Sequence, residues 1–83
     1  MMVVQVRYFA SIREALGCGS ETWQTAASTV GELRDELLAR GEAYACLSGD
    51  KPVRIALNQV MCQASDTLTP GCEVGFFPPV TGG

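Results

Sequence analysis

The amino-acid sequence predicts an α+β domain in which one mixed β-sheet packs a single main helix on one of its faces. Both ends of the chain alternate apolar and polar residues with the period of a half-buried strand. Between them lies one well-capped amphipathic helix, and the elements run strand, strand, helix, strands. A first and a last strand on either side of that helix can share one sheet and leave the helix to cover its apolar side. At 83 residues the chain has room for one domain, near the size at which a core is just sufficient.

In Val3–Phe9, Val4, Val6 and Tyr8 fall on one face while Gln5, Arg7 and Phe9 fall on the other, so Phe9 is an aromatic on an otherwise polar face. Ser11-Ile12-Arg13-Glu14 has the spacing of a capping box and Gly17 follows it, which predicts a short helical turn. Cys18–Ser20 makes the bend into Glu21–Thr25, a run of β-formers hairpinned to the first strand. Thr29-Val30-Gly31-Glu32 is a second capping box. It opens the main helix, in which Val30, Leu33, Leu37 and Leu38 recur at helical spacing and Gly41 is placed to end it. Asp35 and Glu36, adjacent on that helix, read as a solvated face. Glu42–Leu47 has room for a further helical turn before a Ser48-Gly49-Asp50 loop.

Val53, Ile55 and Leu57 alternate with Arg54 and Ala56 in a third strand, and Asn58-Gln59 turns into a short strand at Val60–Cys62. Thr69-Pro70-Gly71 is a tight turn with proline and glycine at the favoured central positions. It leads into the last strand, where Cys72, Val74 and Phe76 alternate with Glu73, Gly75 and Phe77. There is no internal repeat or linker. The domain is expected to span residues 1–77, with 78–83 as an extended tail that two prolines bar from a central ladder.

Composition narrows the function. A net charge of −3 argues against nucleic-acid binding, which needs a basic patch to release counterions from phosphate. The absence of histidine removes the usual general base and the commonest zinc ligand. There is no Walker loop, no Gly-x-Gly-x-x-Gly and no metal-spaced cluster. Cys18, Cys46, Cys62 and Cys72 form no C-x-x-C pair, and Met1–Ala10 does not read as a signal peptide. They are expected to be free thiols in a reducing cytoplasm, and without histidine a cysteine nucleophile would need some other group to lower its pKa. No apolar run approaches the ~20 residues that span a bilayer, so no membrane association is expected. Such a chain is a carrier, a subunit or a binding module rather than a self-contained enzyme.

The tail Pro78-Pro79-Val80-Thr81-Gly82-Gly83 is uncharged along its side chains. Extended at ~3.1–3.4 Å per residue it reaches roughly 18–20 Å. Pro78-Pro79 stiffens its root, and the two glycines let the backbone enter a channel too narrow for any side chain. The addressable group at its tip is the α-carboxylate of Gly83, a poor electrophile until activated, most simply as a mixed anhydride with AMP from ATP. A frayed terminus remains the other reading, and composition does not separate the two.

The octet Phe76-Phe77-Pro78-Pro79-Val80-Thr81-Gly82-Gly83 resembles the C-terminal signature of the molybdopterin synthase small subunits, the sulfur carriers of molybdenum cofactor biosynthesis. The likeness covers essentially the whole chain, including Tyr8-Phe9-Ala10, Arg13-Glu14, Thr29-Val30, Asn58-Gln59, Leu68-Thr69 and Gly71-Cys72-Glu73-Val74. It implies a ubiquitin-like β-grasp fold. It implies adenylation of Gly83 by a ubiquitin-activating-like adenylyltransferase, which uses ATP, with no cofactor held by the carrier. A C-terminal thiocarboxylate follows, and insertion of the tail (Pro78, Pro79, Val80, Thr81 and Gly82 threading) into a large synthase subunit, in an assembly of two large and two small chains. Sulfur then passes to cyclic pyranopterin monophosphate to build the dithiolene of molybdopterin. Cys46, Cys62 and Cys72 are not positions that this signature asks for and read as packing residues.

Phe9 and Phe77 point away from the helix-covered face by alternation and lie together if the first and last strands are neighbours, as in a β-grasp. With Met61, and with Arg13 as a charge that could pair with a partner, they are the candidate docking residues, and the resemblance implies that the matching positions form a surface shared by both partners. Trp23 and Tyr44 read as packing and Arg54 as solvated. A sulfur carrier of another pathway, for thiamine or tRNA thiolation, is an alternative of the same chemical class, and thiamine carriers share Gly-Gly but not Phe-Phe-Pro-Pro-Val-Thr. A ubiquitin-like modifier is the remaining alternative, with Lys51 the only lysine for isopeptide chains.

Overall fold

The pairing of the two ends of the chain organises the structure, a computed structural model that describes residues 1–47 and 53–78. Strand β1 (Met2–Tyr8) and strand β5 (Glu73–Phe77) lie side by side and parallel at the centre of the sheet, Arg7 opposite Gly75 and Tyr8 opposite Phe76. Strand β2 (Ser20–Thr25) pairs antiparallel on the outer side of β1. On the other side β3 (Arg54–Leu57) pairs antiparallel with β5, and β4 (Val60–Met61) with β3. The order is β2-β1-β5-β3-β4. Helix α1 (Ala10–Leu16), helix α2 (Val30–Leu38) and the 3-10 segment Glu42–Leu47 complete the chain in the order expected. The sheet is mixed, as the sequence predicts, and the order is that expected of a β-grasp. The Ser48-Gly49-Asp50 loop, Lys51 and the tail from Pro79 onward lie outside the described residues.

Alternation puts Val4, Val6 and Tyr8 of β1, Ile55 of β3 and Val74 and Phe76 of β5 on one face, where they are buried beneath Val30, Leu33 and Leu37 of α2 with Ile12 and Leu47. The capping box forms: Glu32 N–H donates to Thr29 Oγ1 at 3.3 Å and Thr29 N–H to Glu32 Oε1 at 3.1 Å. The next two amides of α2 donate to the segment before β5, Val30 N–H to Asp66 O at 3.0 Å and Gly31 N–H to Ala64 O at 2.8 Å. The donors that a helix leaves unpaired at its start are thereby satisfied by the sheet side of the domain. Asn58 and Gln59, at φ 52 and 70, form the two-residue β3–β4 turn with the positive φ pair of a type I′ hairpin.

Local expectation and structure part at several places. Ser11 forms no capping box; α1 starts at Ala10 with Phe9 as its N-cap and no side-chain cap. The parallel ladder runs one bond further than the strand, Phe9 N–H donating to Phe76 O at 3.2 Å. The chain then turns abruptly at Ala10, which takes φ 50, a left-handed conformation disfavoured by about 1–2 kcal/mol in an L-residue. Gly17, at φ 75, closes α1 as its spacing predicts. Helix α2 ends at Leu38, short of Gly41, and Leu38 itself is only half-buried.

Glu36 corrects the expectation of a solvated face. It accepts from the Trp23 indole Nε1–H at 3.0 Å, from Thr25 Oγ1–H at 2.6 Å and from Ala26 N–H at 3.2 Å, tying α2 to β2. Glu21 is the second such centre, accepting from Tyr8 Oη–H at 2.7 Å, from Tyr44 Oη–H at 3.3 Å and from Arg40 Nη1–H at 2.7 Å. The Arg40 guanidinium lies 4.6 Å from the ring centroids of both Trp23 and Tyr44. Trp23 and Tyr44 do pack, as expected, but they do so as the walls of an ion-pair site. The early end of α2 coincides with this anchoring of Arg40.

Burial alone would raise the Glu21 carboxyl, but the Tyr8 and Arg40 hydrogen bonds reverse the balance and hold it below the ordinary carboxylate range. Burial beside that carboxylate drives the Tyr8 phenol far upward. A group with a lowered folded pKa adds stability above its unfolded value, ~4.3 for glutamate, and loses it as pH falls through the folded value. Glu21→Gln is therefore expected to lower the thermal midpoint at neutral pH and to flatten its fall between about pH 5 and pH 3. Thermal melts across that range check it, and a wild-type acid slope in the variant contradicts it.

Candidate functional site

The sheet face turned away from the helices is defined by the strand register. Arg7 of β1 and Ala56 of β3 both lie opposite Gly75 of β5, Arg54 lies opposite Phe77, and Met61 of β4 lies opposite Ala56. Residues in register share a face, so these side chains and Phe9, two residues beyond Arg7, all emerge on the open side. The Phe9 and Phe77 rings stack there with centroids 4.6 Å apart and planes inclined by 20°.

Gly75 makes the stack possible. A Cβ at this position would lie 3.0 Å from Phe9 Cε2 and 3.5 Å from Phe77 Cζ, so the rings occupy the space that a side chain would take. Beside them opens a hollow of about 320 Å³. Ala56 and Gly75 form its floor, Phe9, Met61 and Phe77 its apolar walls, and Arg7, Gln59 and Glu73 its polar rim. Met61 is 56% exposed, and Phe9 and Phe77 are half-buried. Arg7 Nη1 stands 3.5 Å from Glu73 Oε1, a long, exposed ion pair, with its guanidinium 6.0 Å from the Phe9 ring centroid.

Phe9, Met61 and Phe77 are thus brought together as the sequence suggests. Arg13 is not: it lies on α1 outside the hollow and packs over Gly19, where a Cβ would come 3.3 Å from its Nε. Pro78, half-buried, continues directly from Phe77, so the root of the tail is at the edge of the hollow. Pro79, Val80, Thr81, Gly82 and Gly83 fall outside the described residues. Ala56, Gln59, Glu73, Gly75 and Arg7 are site residues that sequence reasoning missed. A glycine inside a strand pattern was the available signal, since it often marks a close approach.

Among the described residues no group of three or more His, Cys, Asp or Glu could hold a metal ion. All four cysteines are free. Cys72 is buried in the core, and burial pushes the Cys62 thiol up, away from the reactive thiolate. Cys62 instead points its S–H at Ile55 O, 3.4 Å away. No helix among the described residues is long and apolar enough to cross a membrane.

Comparison with known proteins places this geometry in a family. The profile described as the ThiS family matches residues 6–83. The chain is 36% identical over 81 residues to the molybdopterin synthase sulfur carrier subunit of Escherichia coli (strain K12), covering 98% of this chain and 100% of that one. The solution structure of the Haloferax volcanii HVO 2177 protein superposes with a TM-score of 0.82 at 30% identity, covering 99% of this chain and 87% of that one. A chain from the complex of subunits 1 and 2 of molybdopterin-converting factor from Helicobacter pylori 26695 superposes with a TM-score of 0.70 at 29% identity, covering 99% of this chain and 100% of that one. The fold is the ubiquitin-like β-grasp.

The dependence of the stack on Gly75 is open to test. Gly75→Ala needs only a small tilt of the half-buried Phe9 ring and should leave ring–ring contacts detectable by NMR. Gly75→Leu should abolish the Phe9–Phe77 cross-peaks while core methyl contacts persist, with a stability loss of about 1–3 kcal/mol from overpacking. Unchanged cross-peaks in Gly75→Leu would show that the rings do not need the vacancy.

Proposed function

The chain belongs to the ThiS family, and from that premise we propose that it is the sulfur-carrying small subunit of a molybdopterin synthase. The reading rests above all on one observation: the apolar hollow walled by Phe9, Met61 and Phe77 lies at the root of the tail. A carrier needs both parts side by side. The hollow seats the partner, and the tail, leaving at Pro78, delivers the terminal carboxyl into the partner's site. The subunit complex solved for the Helicobacter pylori relative supports a large-subunit partner.

The chemistry proposed for the tip uses the Gly83 carboxylate alone. One carboxylate oxygen attacks the α-phosphorus of ATP in an adenylating partner, pyrophosphate leaves, and an acyl-adenylate forms. A sulfur donor then displaces AMP, leaving a thiocarboxylate. In the large subunit that sulfur passes to cyclic pyranopterin monophosphate, water restoring the carboxylate oxygen, and two such deliveries supply a dithiolene. The carrier holds no cofactor of its own and is not catalytic by itself; an assembly of two large and two small chains fits this division. Pro78-Pro79 limits the ordering entropy lost on insertion, and Gly82-Gly83 keeps the last backbone atoms free of side-chain bulk.

Two experiments test the two halves of the reading. Deleting Gly83 is expected to leave the thermal midpoint within error and to abolish ATP–pyrophosphate exchange with the adenylating partner, together with the mass gain of oxygen replaced by sulfur. Gly82→Val should slow exchange by misplacing an intact carboxylate. Wild-type exchange by either variant overturns Gly83 as the reactive end. Phe77→Ala should weaken binding to the large subunit by about 1–3 kcal/mol, as for an aromatic hot spot. Titration calorimetry checks this, and unchanged affinity with an intact fold overturns the docking surface.

A further inference from the structure

The open face of the sheet carries a charge balance opposite to that of the whole protein. The chain has a net charge of −3. On this face the register leaves Val3, Gln5, Ser20, Thr22 and Gln24 uncharged around β1 and β2. The charges of the face near the hollow are Arg7, on its rim, and Arg54, in register with Phe77, with Glu73 as the one carboxylate among the described residues of the face.

The backbone of Glu73 is held in place by Asn58. The Glu73 N–H donates to Asn58 Oδ1 at 2.9 Å, its carbonyl accepts from Asn58 N–H at 2.7 Å, and its side chain is 28% exposed. Arg7 is the adaptable member of the charged set. Its side chain is 49% exposed, and its single contact to Glu73, at 3.5 Å, is at the outer limit of a hydrogen bond, so most of its planar donor fork faces solvent. Arg54, also exposed, sits opposite Phe77, at the root of the tail. Arg7 thus borders the apolar hollow, and Arg54 shares its face, in register with Phe77 of its wall. An anionic rim on the partner would be attracted to them, and a cationic one would meet like charge.

Resting on the docking reading above, we infer that the partner surface seated on this face presents an apolar side chain into the hollow over Gly75 and carboxylates to Arg7 and Arg54. The two parts do different work. Apolar contact in a desolvated hollow governs dissociation, whereas exposed rim charges chiefly steer encounter and set its salt dependence. The guanidinium groups also discriminate: a partner lacking the carboxylates would still fill the hollow but would arrive slowly.

The test is stopped-flow association of the full chain with the large subunit from the same organism. Arg7→Gln/Arg54→Gln should associate about 10-fold more slowly than wild type at low salt. The two rates should converge as salt shortens the screening length from ~30 Å at 0.01 M to ~3 Å at 1 M. Ala43→Glu/Ala45→Glu, exposed residues of the 3-10 segment on the helix side, changes the net charge equally and should associate within about 2-fold of wild type. Equal slowing by this control, or wild-type association of the arginine variant at low salt, overturns the inference. So does sedimentation showing a homodimer that the arginine variant dissolves, since the occupant would then be a second copy. The docking reading is tested separately, through Phe77→Ala: unchanged affinity there overturns it, whereas lost affinity with unchanged arginine-variant kinetics leaves the hollow standing and overturns the charged rim.

Discussion

Parallel pairing of β1 with β5 is the constraint on which the rest of the structure depends. It joins residues separated by most of the chain, and it brings the end of β1 and the end of β5 to the same edge of the sheet, pointing the same way. Phe9 follows β1 and Phe77 ends β5, so their meeting is a consequence of register rather than a separate arrangement. A shift of β1 by one residue would turn Arg7 into the core and bury the aromatic platform with it. The buried run Val4, Val6 and Tyr8 makes that shift prohibitive, because each of these side chains is already packed under the helices. The position of the open face and its aromatic pair is therefore set by the core behind it.

On the helix side the domain uses charge where a larger protein would use more apolar area. A chain of this length buries a modest fraction of its surface, and α2 is held to β2 by Glu36 as well as by Val30, Leu33 and Leu37. Glu21 does the same for the 3-10 segment and the turn after α2, drawing Tyr8, Tyr44 and Arg40 to one carboxylate. Donors meet both oxygens of each group. These satisfied half-buried centres fix orientation, whereas the exposed Arg7–Glu73 pair on the opposite face, long and solvated, contributes little to stability. The two faces thus spend their charges differently: one inward, as structure, the other outward.

Much of this was legible beforehand, and the exceptions have physical causes. Strand alternation and the Thr29–Glu32 box depend on neighbours in sequence, so both could be read directly, as could Phe9 and Phe77 facing away from the core. The start of α1 could not, because it is decided by a bond from Phe9 N–H to Phe76 O, across nearly the whole chain. Glu36 was misread for the same reason: its donors Trp23, Thr25 and Ala26 are close in space only once β2 is placed against α2. Arg13 was grouped with the aromatics as a charge that could pair with a partner, and the chain after the turn at Ala10 places it on α1, over Gly19 and outside the hollow. Gly75 is the instructive case. Its role is to leave room, and a vacancy has no signature in a one-dimensional pattern except the glycine itself.

An apolar platform on a small domain invites association with the wrong surface, and its construction limits that hazard. The stack of Phe9 on Phe77 hides one face of each ring against the other and lowers both onto the Gly75 backbone, so both residues are half-buried when the hollow is empty. Beyond them β4 is only two residues long and gives way to a loop, leaving a short outer edge for strand addition. Arg7 and Glu73 then hold charge at the rim, which disfavours a flat apolar match. In the docking reading proposed above, shape, edge and charge together would reserve the hollow for a surface that fits all three. Pro78 follows Phe77 directly, so in that reading a surface seated in the hollow would lie next to the start of the tail.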